Sequence, residues 1–326
     1  MIMNKIRIGI AGYGNVGRGV DRAVAAASDM ELAAVFTRRD PGALRIADSS
    51  AKVHKLSDAE KMTDEIDVLL LCGGSATDLA EQGPRYAALF NIVDSYDNHG
   101  KIPEYLAAVD AAAKNKTAVI SSGWDPGLFS IMRLISESAL PDGKGYTFWG
   151  RGLSQGHSDA IRRIEGVTNA VQYTIPIDDA VKAARSGENP NLTTRQKHLR
   201  QCYVVVSPGA DKASIEKNIK TMPNYFADYD TTVTFIDDDE FNANHSKMPH
   251  GGVVIHSGRT GENKHMLEFS LRLDSNPEFT GNVMAAYARA AFRMAREGDF
   301  GAKTVFDVPL AYLAEKDRQT LIRELL

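Results

Sequence analysis

Gly12-Tyr13-Gly14-Asn15-Val16-Gly17 follows the apolar run Ile6 to Ala11. A strand that opens through G-x-G-x-x-G into a helix brings backbone N–H groups and a positive helix terminus to a pyrophosphate. A second apolar run, Leu32 to Phe36, ends in Thr37-Arg38-Arg39. The tip of such a strand usually carries an acid for the ribose hydroxyls of NAD. A hydroxyl and two guanidiniums suit a 2′-phosphate instead, so the pattern favours NADP. Two carboxylates, Asp97 and Asp125, stand in loops after successive predicted strands, where the nicotinamide end of a dinucleotide would lie. A pair of acids there fits a cationic amine. Each alone also reads as an Asx turn or helix cap, with Asp125 before Pro126 a turn former. Asp94, nearer the strand end, reads as structural.

Trp124 and Trp149 are the only tryptophans, in Ser-Gly-Trp-Asp-Pro-Gly and Phe-Trp-Gly-Arg-Gly. Rings in such segments either exclude water and pack an aliphatic substrate or fill space between domains. The stretch Leu153 to Arg163 is dense in polar groups and glycine and reads as a functional loop entering a helix. Gln155 can donate and accept through its amide, and Gly156 would let a ligand carboxylate reach backbone N–H groups. His157 could act as acid or base, but beside Ser158 and Asp159 a helix-capping cluster is the better reading. Arg200, with Lys197 and His198 adding local positive charge, suits a bidentate grip on a carboxylate, against the plainer reading of a surface arginine on an edge strand. His250, in Met-Pro-His-Gly-Gly, could hydrogen-bond a carboxylate or brace its turn. No H-E-x-x-H or P-loop lysine occurs, which argues against a metal and P-loop phosphoryl transfer.

These residues need elements to hold them. Up to about residue 125, β-rich runs alternate with helical stretches, as a parallel sheet with crossover helices does. A helix Arg18 to Ala27 follows the first strand. Asp67 to Cys72 is a buried strand opening into Gly73-Gly74-Ser75-Ala76-Thr77-Asp78, a second glycine turn expected to face the cofactor, before a helix to about Phe90. Asn91 to Asp94 and Thr117 to Ile120 are further strands, whose loops Ser95 to His99 and Ser121 to Gly127 fall at the carboxyl ends where ligands bind. After a helix Leu128 to Ala139, longer alternating strands are expected: Tyr146 to Trp149, Ala170 to Ile175, His198 to Val206, Thr231 to Ile236, Val253 to Ser257 and Met266 to Leu273. With helices Asp178 to Ser186 and Ala213 to Thr221 they imply an α+β domain on one mixed sheet. A helix Thr280 to Glu297 and an amphipathic tail from Ala314 close the chain. The expected division is 1–125 for the dinucleotide and 126–299 for substrate and dimerisation, with about 300–326 returning to the first domain.

The 326 residues, 43% hydrophobic and without repeats, suffice for two cores. A net charge of -4 with scattered cations argues against nucleic acid. Two cysteines, Cys72 and Cys202, point to a reducing compartment and read as small core residues. Met1 to Lys5 shows no charged-then-apolar leader and no apolar run approaches a membrane span, so a cytoplasmic location with no membrane contact is expected.

In order along the chain, Gly-Tyr-Gly-Asn-Val-Gly-Arg, Arg38-Arg39, Cys72 to Asp78, Tyr96-Asp97-Asn98-His99, Gly123 to Gly127, Phe148-Trp149-Gly150, Ser154 to Arg163, Arg200-Gln201-Cys202 and Met248 to Gly252 resemble the meso-diaminopimelate dehydrogenases, NADP-dependent amino-acid dehydrogenases of bacterial lysine metabolism. The resemblance implies a homodimer of subunits with a Rossmann-type domain, a dimerisation domain and a substrate region. It implies that Tyr13, Gly14, Asn15 and Val16, Thr37 to Arg39, Cys72, Gly73, Gly74 and Ser75, Ser95, Tyr96 and Asp97, and Ser121, Ser122, Gly123 and Trp124 line NADP. Asp97, Asp125, Trp149, Gln155 and Gly156 would surround the reacting D-centre, with Asp97 and Asp125 the proton carriers, and Thr174, Arg200, His250 and Asn276 would hold the distal L-centre. Gly73-Gly74 departs from the pattern, where a bulkier residue is expected before the second glycine. The implied reaction is reversible oxidative deamination of the D-centre of meso-2,6-diaminopimelate. The alternatives are another NADP-dependent oxidoreductase, such as a dihydrodipicolinate reductase or a sugar dehydrogenase, and a non-catalytic NADP-binding redox sensor. The Lys-Pro dipeptide of the sugar enzymes is absent, and the polar crowding at Ser154 to Arg163 exceeds what a sensor needs.

Overall fold

A computed structural model describes residues 5–47 and 51–326; the expectation about the first residues lies outside the described ones. The elements run β1 (Ile6–Ala11), α1 (Asn15–Ala26), β2 (Met30–Thr37), β3 (Lys52–Lys55), β4 (Val68–Leu71), α2 (Leu79–Ala87), β5 (Asn91–Asp94), α3 (Ile102–Ala112), β6 (Thr117–Val119) and α4 (Leu128–Ala139). They continue β7 (Lys144–Trp149), β8 (Gly152–Leu153), α5 (Gln155–Arg162), β9 (Val167–Pro176), α6 (Asp178–Arg185), α7 (Thr194–Lys197), β10 (His198–Val206), α8 (Lys212–Lys220), β11 (Asp230–Phe235), α9 (Asp238–Asn244), β12 (His250–Thr260) and β13 (Asn263–Leu273). The chain closes with α10 (Asn276–Arg296), β14 (Gly301–Lys303) and α11 (Arg318–Leu325).

The chain divides into two compact units, 1–131 with 277–326, and 132–276. In the first, a seven-stranded sheet has the order β14-β6-β5-β4-β1-β2-β3, every pairing parallel. Helices cover its faces, so central strands carry unbroken apolar runs; Val68, Leu69, Leu70 and Leu71 are all fully buried. Leu69, Leu71, Ile92, Phe36 and Tyr86 share one core cluster. This is the Rossmann-type order, with the change of direction between β1 and β4 and with carboxyl ends where glycine turns and acid loops emerge.

The second unit holds two sheets where the sequence implies one. A mixed sheet runs β11-β10-β9-β8, parallel between β10 and β11 and antiparallel elsewhere. A separate antiparallel sheet runs β13-β12-β7. The two sheets have separate cores, one around Ile161, Val204, Ile219 and Phe226, the other around Phe148, Ala184 and Ile255. Period-2 alternation reveals strands but not which strands pair, hence the merged reading.

Residues 277–299 also differ from the expected division. They belong with the first unit because α10 packs directly on α1. A Cβ built on Gly281 would stand 2.4 Å from the Gly19 carbonyl carbon, and one on Gly19 would stand 2.5 Å from the Pro277 carbonyl oxygen. Only glycine permits that approach. Further along α10, the nearly buried Arg289 pairs with Asp29 at 2.6 Å. β14 then adds to β6, bringing 301–303 into the sheet.

Candidate active site

In the first unit, the glycine-rich turn places α1 earlier than the sequence reading. Gly14 is extended and the helix begins at Asn15, not Arg18, so Asn15, Val16 and Gly17 form its first turn. Gly12 takes a φ of +97°, open to glycine and costly for other residues. The glycines around this turn have distinct tasks. A Cβ on Gly17 would lie 2.2 Å from the Gly12 carbonyl oxygen, whereas one on Gly14 would meet nothing within 4 Å. Gly17 is therefore needed by the protein itself, and the space beside Gly14 is left for something else. That is the cradle a pyrophosphate requires.

The tip of β2 is wired to this turn. The Arg39 guanidinium donates to the Tyr13 carbonyl at 2.5 Å, and the Arg39 N–H donates to Thr37 Oγ1 at 3.1 Å. The Tyr13 hydroxyl donates to the fully buried Asp21 at 2.5 Å. Arg38 is not simply a free guanidinium: it pairs with both carboxylate oxygens of Asp78, at 2.8 and 3.0 Å. Asp78 also accepts from the Gly74 N–H at 3.1 Å, tying the second glycine turn to the tip of β2. A Cβ on Gly73 would fall 2.7 Å from the Asp78 Cβ, which accounts for a glycine where a bulkier residue is expected. Thr37, Arg38 and Arg39 line a pocket of about 560 Å³ with Asp40, Pro41, Lys55, Leu56 and Ser57. Lys55 and Ser57 were missed in the sequence, because Lys52–Lys55 is too short and charged to announce a strand. The thiol of Cys72, next to this region, is pushed up by burial and stays protonated.

The acid loops follow β5 and β6. Asp97 is exposed, and its N–H donates to Ser75 Oγ at 3.1 Å, joining its loop to the second glycine turn. Tyr96 is buried and stacks on Tyr105 with centroids 4.1 Å apart. Ser122 donates through both N–H and Oγ to the Asp94 carbonyl, at 2.9 and 2.8 Å. Asp125 is half-buried before a cis Pro126. Trp124 is buried, edge-on against Phe129 with centroids 5.2 Å apart.

In the second unit, Arg200 sits on β10, flanked by β9 and β11, and is 7% exposed; it is neither on an edge nor at the surface. Its register partner on β9 is Thr174, whose hydroxyl accepts from the guanidinium. The cation lies 3.9 Å from the Tyr229 ring centroid, and its Nε has no hydrogen-bond partner. Buried Gln172, beside Thr174, likewise keeps an unpartnered Oε1. His198 adds no positive charge. Burial first, then Arg200 and Lys197, push its pKa down to about 3, and the neutral ring accepts the Trp149 N–H at 2.9 Å while stacking on that indole. Lys197 is itself shifted down by burial.

His157 does not cap its helix. It lies in the first turn of α5, where Nδ1 meets the Ser154 hydroxyl at 2.7 Å, and burial then Arg200 push its pKa down to about 3. Asp159 pairs with Arg162 instead of capping. Gln155 is exposed and donates to the Met248 sulfur at 3.2 Å, while a Cβ on Gly156 would meet open space. The Gly251 N–H donates to His250 Nδ1 at 2.8 Å. Asn276 opens α10, its N–H bonded to the Met248 carbonyl at 3.0 Å, so Gln155 and Asn276 both engage the loop that carries His250.

Residues 123–275 match the family model described as the diaminopimelic acid dehydrogenase C-terminal domain. Over 99% of this chain and 100% of its own length, the meso-diaminopimelate D-dehydrogenase of Lysinibacillus sphaericus is 62% identical. The chain belongs to the meso-diaminopimelate D-dehydrogenase family. Among solved structures, the Corynebacterium glutamicum diaminopimelate dehydrogenase in complex with diaminopimelate superposes with a TM-score of 0.93 at 46% identity, covering 99% of this chain and 100% of that one. An engineered D-amino acid dehydrogenase bound to NADP⁺ superposes at 0.89 with 44% identity, over 99% and 100%. Family membership sets aside the reductase, sugar-dehydrogenase and sensor alternatives. Within this family member, Tyr229, Gln172 and the seat of His198 under Trp149 are site features the sequence did not announce. Tyr229 lies in the polar stretch Ala-Asp-Tyr-Asp, with no pattern pointing to Arg200.

Proposed function

We propose that Asp97 and Asp125 handle the amine of the reacting carbon while Thr174, Arg200, His250 and Asn276 hold the amino acid at the other end of the substrate. The activity is NADP-dependent oxidative deamination in lysine biosynthesis. Meso-2,6-diaminopimelate, NADP⁺ and water give L-2-amino-6-oxopimelate, ammonium, NADPH and a proton. NADP, when bound, accepts hydride from the D-configured carbon. The turn at Gly12 to Gly17, with Thr37, Arg38, Arg39 and Lys55, fits that group: open space at Gly14 for the pyrophosphate, cations and a hydroxyl for the 2′-phosphate.

The amine must be neutral for its lone pair to drive hydride loss, so a carboxylate has to take the ammonium proton, and a base must activate water for attack on the imine. Asp97 and Asp125 are the groups suited to both tasks. His157 and His198 are held neutral with a ring nitrogen each already engaged, His157 with the Ser154 hydroxyl and His198 as acceptor of the Trp149 backbone N–H. The observation that carries the reading is Arg200: a buried guanidinium braced by Thr174 and Tyr229, with a buried Nε that has no hydrogen-bond partner, suits a carboxylate. Anchoring the L-end through that carboxylate would leave the D-end to react, which supplies the stereochemistry. The reading extends to a homodimer in the cytoplasm. Support for the location is that both cysteines are free and that no helix of the described residues is long and apolar enough to cross a membrane. The experiment is meso-diaminopimelate deuterated at the D-carbon: label should appear in NADPH, and label at the L-carbon should stay in the product. Label transfer from the L-carbon would overturn the assignment of ends.

A further inference from the structure

We infer that Asp94 is the positioning residue that fixes the two acid loops to each other, through one buried carboxylate. This rests on the reading that Asp97 and Asp125 act on the amine. Asp94 ends β5 with no exposed surface. Its Oδ1 accepts the Tyr96 N–H at 3.0 Å and the Ser121 N–H at 2.9 Å. Its Oδ2 accepts the Tyr105 hydroxyl at 2.6 Å. Its carbonyl takes both Ser122 donors. Tyr96 is the neighbour of Asp97, and Ser121-Ser122 open the loop that carries Asp125.

A plain Asx turn would involve the Tyr96 N–H alone. Two further features exceed that. Ser121 takes a φ of +55°, an αL conformation that costs a non-glycine residue about 1–2 kcal/mol, and the bond from its N–H to Asp94 helps to hold it there. The Tyr105 hydroxyl is fixed from the other side, since a Cβ on Gly83 would fall 2.1 Å from it, so its ring stacks on Tyr96 and its proton points at Asp94. A buried carboxylate that reaches one loop only would leave the other loop free to choose among backbone states. Shared acceptance by one oxygen couples them, and misplacement by about 1 Å can cost roughly 10²-fold in rate.

The test uses the full chain with Asp94→Ser, Asp94→Asn and Tyr105→Phe, measuring kcat, both KM values and amide hydrogen exchange over 95–99 and 121–127. Asp94→Ser should lower kcat at least about tenfold and should speed exchange in both loops. Asp94→Asn, which keeps an acceptor for the two N–H groups and can donate to Tyr105, should restore most of the rate. Tyr105→Phe, which keeps the stack, should lower kcat about threefold or more and carries the test if the serine variant does not fold. Unchanged kcat in Tyr105→Phe and Asp94→Ser, faster exchange in one loop only, or an asparagine variant no better than serine would overturn the inference. Exchange reads positioning without turnover, and a wild-type chain inactive on meso-diaminopimelate would instead count against the proposed function.

Discussion

Replacing Arg200 by methionine has opposite consequences for binding and for folding. The guanidinium is buried, braced by Thr174 and Tyr229, and its Nε is unpartnered. A substrate carboxylate received there would make charge-assisted hydrogen bonds of about 1.5–3 kcal/mol each. Truncating one partner of such a buried pair costs about 2–5 kcal/mol. At roughly 1.4 kcal/mol per factor of ten, kcat/KM for meso-diaminopimelate should fall about 30- to 4,000-fold, mostly through KM. Without substrate the same cation is a desolvation burden, visible as the downward push that burial gives its pKa. An apolar side chain of similar length should therefore leave Tm unchanged or raise it by a few degrees. Steady-state rates at saturating NADP⁺ and a thermal melt of the free protein read both quantities. A KM within about threefold of wild type, or a melt lowered by several degrees with KM for NADP⁺ raised, would refute the assignment.

Gly14→Ala should leave Tm within about a degree yet weaken NADP⁺ binding, whereas Gly17→Ala, driven into the Gly12 carbonyl, should lower Tm; fluorescence titration beside a melt separates them. Arg39→Ala should weaken NADP⁺ by about 1.5–3 kcal/mol and spare NAD⁺, and equal losses for both nucleotides would remove it from the 2′-phosphate site. Asp125→Asn should chiefly lower kcat, and a fully active variant would take Asp125 out of the mechanism. His198 has a folded pKa of about 3, below the value near 6.5 of an unfolded chain, so the unfolded state binds more protons between them and stability should fall with pH below about 6.5. His198→Gln, which can still accept from Trp149, should flatten that acid loss in melts across pH, and an unchanged slope would place the loss elsewhere. Light scattering after size exclusion should give twice the chain mass, and a monomer would end the dimer proposal.

Much of the first unit was legible because its signals are local. A glycine turn between an apolar strand and a helix, or a buried run such as Val68 to Leu71, follows from backbone sterics and burial over a few residues. The start of α1 was missed by three residues because the glycines that feed the turn hide the helix within it. Arg200 illustrates what a sequence leaves open: its residue type suggests a carboxylate partner, but burial, Thr174 across the strand and Tyr229 over the ring are set by pairing at long range. Asp94 reads as structural from its place at a strand end, and only the fold brings the Ser121 and Tyr105 donors to it. The fate of 277–299 depends likewise on Gly19 meeting Gly281, a contact with no local signature.

The most direct measurement is the initial rate of NADPH formation with meso-diaminopimelate, set against the L,L and D,D isomers and against NAD⁺ in place of NADP⁺. Turnover largely confined to the meso isomer with NADP⁺ is the result that recognition of an L-end and reaction at a D-end require. Comparable rates with the L,L isomer, or none with the meso isomer, would contradict the account.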